Sequence, residues 1–114
     1  MKSQRFVNLF DPVFALSTVT TLYTVGANIQ TRVTNLFAYN TDTSTAYTLA
    51  VFLVESGGSS GSETTSHSVV IQPKGTVSFY DLIGHTLPSG ATIQVQSDAS
   101  SKVTVHGSGV ELTQ

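Results

Sequence analysis

The sequence predicts an all-β chain: a single antiparallel β-sandwich, immunoglobulin-like or jelly-roll, of seven to eight strands. Three observations predict it. β-Branched and aromatic residues recur in short runs, the composition of half-buried pleated strands. Turn residues punctuate those runs about every eight to twelve residues, as in sandwiches and barrels. No helical periodicity outlasts a turn or two, so crossover helices are not expected and strands pair antiparallel by default.

The first seventeen residues read as an apolar N-terminal arm ahead of the sandwich domain, residues 18–114. Phe6, Val7, Leu9, Phe10, Val13, Phe14 and Leu16 crowd together there. Apolar surface of that extent is expected either to cover the domain's own core or to dock on another subunit. Asp11-Pro12 offers a helix start, an N-cap aspartate with proline at the first helical position, with room for one short turn. The first strand is expected at Thr18–Val25 and the second at Thr31–Asn40. The third, Tyr47–Val54, places Tyr47, Leu49, Val51 and Leu53 on one face. Ala50, Phe52 and Val54 lie on the other, which predicts cover on both sides. The fourth, His67–Gln72, points Val69 and Ile71 inward. Pro73-Lys74-Gly75 forms a tight turn, with proline presetting φ and glycine free to take positive φ. The fifth strand is Thr76–Leu82. The sixth, Thr92–Ser97, alternates Ile93 and Val95 with Thr92, Gln94 and Gln96. In the last, Lys102–Leu112, Val103 and Val105 are odd-numbered while Val110 and Leu112 are even-numbered. Gly107-Ser108-Gly109 must absorb one residue between them, as a bulge or kink.

Between Val54 and Val69 runs VESGGSSGSETTSHSV, the composition of a flexible linker. Cutting there leaves halves of about 50–55 residues, too small to bury a core without staples. The run is therefore expected to be a loop between the third and fourth strands of one domain.

Composition narrows the function. Only 11% of residues are charged, against about 25% in typical domains, while serine and threonine supply 32. Such a surface suits burial in an assembly or an extracellular β-domain. With net charge −2 and Lys2, Arg5, Arg32, Lys74 and Lys102 scattered, an electrostatic nucleic-acid footprint is not expected. Cysteine is absent, which removes disulfides and thiolate metal sites. The N-terminus imitates a signal peptide, but Asn8, Asp11 and Pro12 interrupt its apolar part. No stretch reaches membrane-spanning length, and no Asn-x-Ser/Thr site occurs.

Chemistry is faint. His67, His85 and His106 show no close pairing of the kind that places two metal ligands together. A hydrolase triad would need a serine, a histidine and an acid to converge, and no Gly-x-Ser-x-Gly elbow is present. The Asn40–Thr45 stretch carries too few carboxylates for calcium and reads as a turn whose side chains bond its own backbone. No catalytic residue, metal or cofactor is expected. Tyr39 and Tyr47 flank that turn and are either a small sugar platform or cross-strand packing.

Several stretches together resemble small β-sandwich virion proteins of tailed bacteriophages. They are Thr31-Arg32-Val33-Thr34-Asn35-Leu36, Asn40-Thr41 and Tyr47 to Val54. Ser56-Gly57-Gly58 and Ile71-Gln72-Pro73-Lys74-Gly75-Thr76-Val77 follow. Leu87-Pro88-Ser89-Gly90-Ala91-Thr92-Ile93 and Val103 to Glu111 complete the pattern. Glu55 stands where such proteins usually carry proline, and Ala91 where they carry aspartate. The resemblance implies a non-enzymatic structural protein, most naturally capsid decoration or cement, with a neck or tail position as the alternative. It implies a place in the virion, after assembly in the host cytoplasm. Its partners would be copies of itself and major capsid, neck or tail proteins. A carbohydrate-binding or adhesin module is the competing reading. The expected partner contacts are the apolar arm, Glu55, Ser56, Gly57 and Gly58 at the start of the loop, and Tyr39 and Tyr47. The Ser56–Ser66 loop and the Asn40–Thr45 turn are the expected exposed tips.

Overall fold

A computed structural model describes residues 3–56 and 64–113, with backbone alone for 64–66. Nine strands run β1 Ser3–Phe14, β2 Thr20–Thr24, β3 Ile29–Asn40, β4 Tyr47–Val54 and β5 Thr64–Ile71. Then come β6 Thr76–Ser78, β7 Thr86–Leu87, β8 Thr92–Ser97 and β9 Val103–Thr113. One sheet has the order β1-β9-β3-β6, with β7 also on β3, and the other β2-β8-β4-β5. Every pairing is antiparallel. Of the two sandwich types expected, this strand order is that of a jelly roll.

The alternation seen in sequence decides the layers. Val33, Leu36 and Ala38 of β3 and Val103 and Val105 of β9 face Leu49, Val51 and Leu53 of β4 and Ile93 and Val95 of β8. All are buried. Each such Val, Leu or Ile side chain contributes about 1.5–3 kcal/mol by leaving water. β4 is covered more on this inner side than expected of a doubly buried strand: Ala50 and Phe52 are half-buried, while Val54 is buried.

Several elements depart from expectation. Residues 3–14 form an edge strand on β9, not a free arm. Asp11-Pro12 starts no helix; the two residues stand opposite the single His106 between Phe10↔Gly107 and Val13↔Val105, a bulge of one extra residue. Proline has no N–H to give, so an edge bulge tolerates it. The expected fifth strand stops at Ser78. Tyr80–Leu82 is a single 3-10 turn, pinned by the buried Phe79, whose N–H donates to the Leu36 carbonyl. At Pro73-Lys74-Gly75 the positive φ falls on Lys74, at 59°, and the Gly75 N–H closes the turn on the Gln72 carbonyl. Proline at the second position and positive φ at the third define a type II turn.

The bulge or kink expected within the last strand is absent. β9 runs unbroken with Val110 and Leu112 on the face opposite Val103 and Val105, and its neighbours carry the extra residues. On β3, Thr34 is inserted between Val33↔Gly109 and Asn35↔Ser108. On β1, Leu9 is inserted between Asn8↔Ser108 and Phe10↔Gly107. A Cβ on Gly109 would lie 2.4 Å from the Arg32 carbonyl oxygen, and one on Gly107 2.9 Å from the Phe10 ring. Glycine is required there because the flanking strands close over β9.

The Gly/Ser run joins β4 to β5, which pair in register from Tyr47↔Ile71 to Val54↔Thr64. It therefore lies inside one hairpin of one sheet, as expected. Gly57 and Gly58 fall outside the described residues.

Candidate functional site

The expected contact residues divide. Leu9 is buried, and Val7 and Phe10 pack partly buried on the core. Phe6 is 79% exposed, and Val13, Phe14 and Leu16 are exposed as well. The segment thus covers part of the domain's own core through Val7, Leu9 and Phe10 and leaves four apolar side chains exposed. Glu55 and Ser56 are exposed. Ser56 also abuts the Pro88–Gly90 turn: a Cβ on Gly90, whose φ is +84°, would strike its Oγ.

The Asn40–Thr45 turn spends its polar groups internally. The buried Asn40 Nδ2 donates to the carbonyls of Thr45 and Ile71, both at 2.9 Å, while its Oδ1 accepts from the Asp42 N–H. Asp42 Oδ1 accepts from the Ser44 and Thr45 N–H groups, and Oδ2 from the Tyr47 hydroxyl. Lys102 Nζ lies 3.8 Å away. Backbone donation from Ser44, ahead of the Tyr47 and Thr45 bonds, holds the Asp42 carboxyl down at about 2. Tyr39 and Tyr47 sit on different sheets, and Tyr47 is tied to Asp42. No ring contact joins the two among the described residues.

At the opposite end a second polar cluster ties the sheets. The Tyr23 hydroxyl on β2 donates to Glu111 Oε2 on β9 at 2.6 Å and shares a hydrogen bond with Thr31 Oγ1 on β3. Arg5 on β1 pairs with the other Glu111 oxygen. Desolvation first, then the bond to Glu111, pushes the Tyr23 phenol up to about 12. The Tyr23 and Arg5 bonds hold the Glu111 carboxyl below its ordinary value.

His67 lies inside β5, not at a loop end. Its Nδ1 is 3.4 Å from Asp81 Oδ2, and its ring meets Phe79 edge-on at 5.7 Å. His85 Nε2 is 3.2 Å from the Asp81 backbone carbonyl. His106 points outward against Phe37, 5.2 Å away, with Nδ1 sealed from solvent and unpartnered. Two histidines thus approach one aspartate, but among the described residues no three His, Asp or Glu side chains gather as a metal site. No described helix is long and apolar enough to cross a membrane.

The sheet edges differ sharply, a feature the strand list could not supply. β1 carries Asp11, Pro12 and its bulges. β2 has five residues and a register shift. β6 and β7 have three and two residues. These are the usual means of blunting an edge. β5 has none of them. It is eight residues of TTSHSVVI without proline, Lys, Arg, Asp or Glu, it shows no bulge against β4, and it ends its sheet. Ser68 and Val70 are exposed on it, and Tyr80 stands 80% exposed nearby in sequence to Asp81, the His67 partner.

No family model and no curated protein sequence matches the chain, so the phage-virion resemblance gains no support from them. A solved chain from work on Bacillus endospore appendages, described as a novel family of disulfide-linked pili, has the same overall fold. It superposes with a TM-score of 0.54 at 17% identity, over 98% of this chain and 88% of that one. At that identity the likeness establishes a shared fold.

Proposed function

We propose that this chain is a non-enzymatic structural subunit that works by associating with copies of itself in a larger, many-copy assembly. The observation that carries the reading is the β5 edge: long, regular, uncharged and unguarded beside three blunted edges. An open edge of this kind presents unpaired N–H and C=O groups to any extended segment. The hydroxyl-rich, charge-poor composition supports the same reading. So does the exposed apolar side of β1, with Phe6, Val13 and Phe14. The fold shared with an appendage subunit is consistent with it. These 114 residues contain no cysteine, so association through them does not use the disulfide linkage named for those pili.

Capsid decoration or cement in a tailed-phage virion is the specific setting that the sequence resemblance favours, with neck or tail attachment as the variant.

Deleting the N-terminal segment would remove Leu9 and Phe10 from the core, so the informative test is on β5. Light scattering of the wild type should show a mass that climbs with concentration above the 12.1 kDa of one chain. Ser68→Lys combined with Val70→Lys charges the open edge at two exposed positions and should hold the protein at one chain. A wild type that stays monomeric into the millimolar range, or a double variant that assembles equally well, would sink the proposal.

A further inference from the structure

The two bulges opposite Gly107–Gly109 shape more than the core. On the outer face of the β1-β9-β3 sheet, two hollows of about 570 and 360 Å³ share Thr34 in their walls. Their volumes fall within the usual range for small-ligand sites, about 300–1,000 Å³. Bulges increase local twist and re-aim side chains, and Thr34 is the inserted residue of β3.

The larger hollow has an apolar floor, Val110 and Leu112, and polar walls. Gln4 and Gln30 flank Leu112 through the register Gln4↔Leu112↔Gln30, as Phe6 and Arg32 flank Val110. Val110 is only 7% exposed, whereas Phe6 leaves its ring almost wholly in water. The side chains of Gln4, Gln30 and Arg32 have no hydrogen-bond or ion-pair partner among the described residues. Arg32 is the one charged residue lining either hollow. An unpaired guanidinium offers a planar fork that fits a carboxylate with two parallel bonds. The free amides add donors and acceptors suited to hydroxyl groups. The exposed Phe6 ring, which lines the smaller hollow next to it, offers a flat apolar surface.

We propose that this cleft binds a carboxylate-bearing saccharide unit, a uronic-acid type sugar, with its carboxylate on Arg32, its hydroxyls on Gln4 and Gln30, and its apolar ring face toward Phe6. The site does not involve the β5 edge; it shares only Phe6 with the apolar β1 surface that supports the assembly reading.

The test is NMR titration of the isotope-labelled full chain with methyl β-glucuronide, methyl β-glucoside and sodium acetate. The glucuronide should shift the amide signals of Gln30, Arg32, Thr34 and Val110 saturably. The glucoside, identical but for the carboxylate, should bind at least about tenfold more weakly, and acetate alone likewise. Arg32→Gln should weaken the glucuronide about tenfold or more, and Arg32→Lys less, since it keeps the charge but loses the fork. Arg32 is exposed and unpartnered, so both variants should keep the wild-type melting midpoint. The proposal is overturned if acetate binds as well as the glucuronide, which would make this a bare anion site. It is equally overturned if the glucoside binds as well, if no saturable shift occurs, or if the same signals move with protein concentration alone, which would mark contact between copies.

Discussion

Gly109→Ala tests the idea that β9 runs straight while the strands on either side of it bulge and close over it. The new Cβ would sit 2.4 Å from the Arg32 carbonyl oxygen and 3.3 Å from Leu9 Cδ1. Ordinary contact begins at about 3.4 Å, so the β3 and β9 backbones must part by about 1 Å. They do so where Val33↔Gly109 and Val7↔Gly109 hold three strands together. Overpacking of this kind costs about 2–3 kcal/mol. Restricting the unfolded chain returns about 0.4–1 kcal/mol, leaving a net loss near 2 kcal/mol. With an unfolding entropy of about 2.1 cal/mol/K per residue over 114 residues, the melting midpoint should fall by about 8 °C. Circular dichroism melts, with urea unfolding at unchanged m-value, read this directly. A midpoint within 2 °C of wild type (about 0.5 kcal/mol on the same conversion) would refute the claim that β9 is pinned there by the bulges beside it.

Three further outcomes are expected. Asn40→Ala should cost about 3 kcal/mol in urea unfolding, because three backbone partners lose their bond at a buried site; a loss below 1 kcal/mol would contradict the role given to that side chain. Asp42 has a depressed carboxyl, so its contribution is fully present above about pH 4 and disappears as pH falls through about 2; Asp42→Asn should flatten that part of the melting-point-against-pH curve, and an unchanged curve would count against the turn network. The Tyr23 phenol is raised, so its contribution holds below about pH 10 and is lost as pH climbs through about 12; Tyr23→Phe should remove a tyrosinate step near pH 12 from the ultraviolet titration and cost about 1–2 kcal/mol at neutral pH.

The two-sheet architecture was legible because period-2 alternation directly records which side of a strand is buried: Leu49, Val51 and Leu53, or Ile93 and Val95, leave no other choice. The Asn40–Thr45 turn was legible because Asn and Asp bond locally, within reach of their own sequence neighbours. What could not be read depends on the partner strand. Asp11-Pro12 looks like a helix start until β9 lies beside it and turns it into an edge bulge. Thr76–Leu82 alternates acceptably, yet Phe79 leaves the strand to fill the open end of the core. The even-numbered Val110 and Leu112 signalled a change of face, but not that Arg32, Gln4 and Gln30 would gather over them from two other strands. The unguarded β5 edge is likewise a property of sheet order: TTSHSVVI would be harmless in the middle of a sheet.

Ser3 and Thr113 are paired at one corner of the molecule, their hydroxyl oxygens 3.1 Å apart. Because β1 and β9 run antiparallel from there, tension drawing Ser3 away from Thr113 loads the ladder one hydrogen bond at a time, as a zipper. The bond at the corner would yield before Leu9 or Phe10 felt any load. A load drawing β1 and β9 past one another, parallel to the strands, would instead strain their whole row of bonds together. The β1–β9 pair therefore resists sliding and is weakest when opened from the Ser3–Thr113 corner.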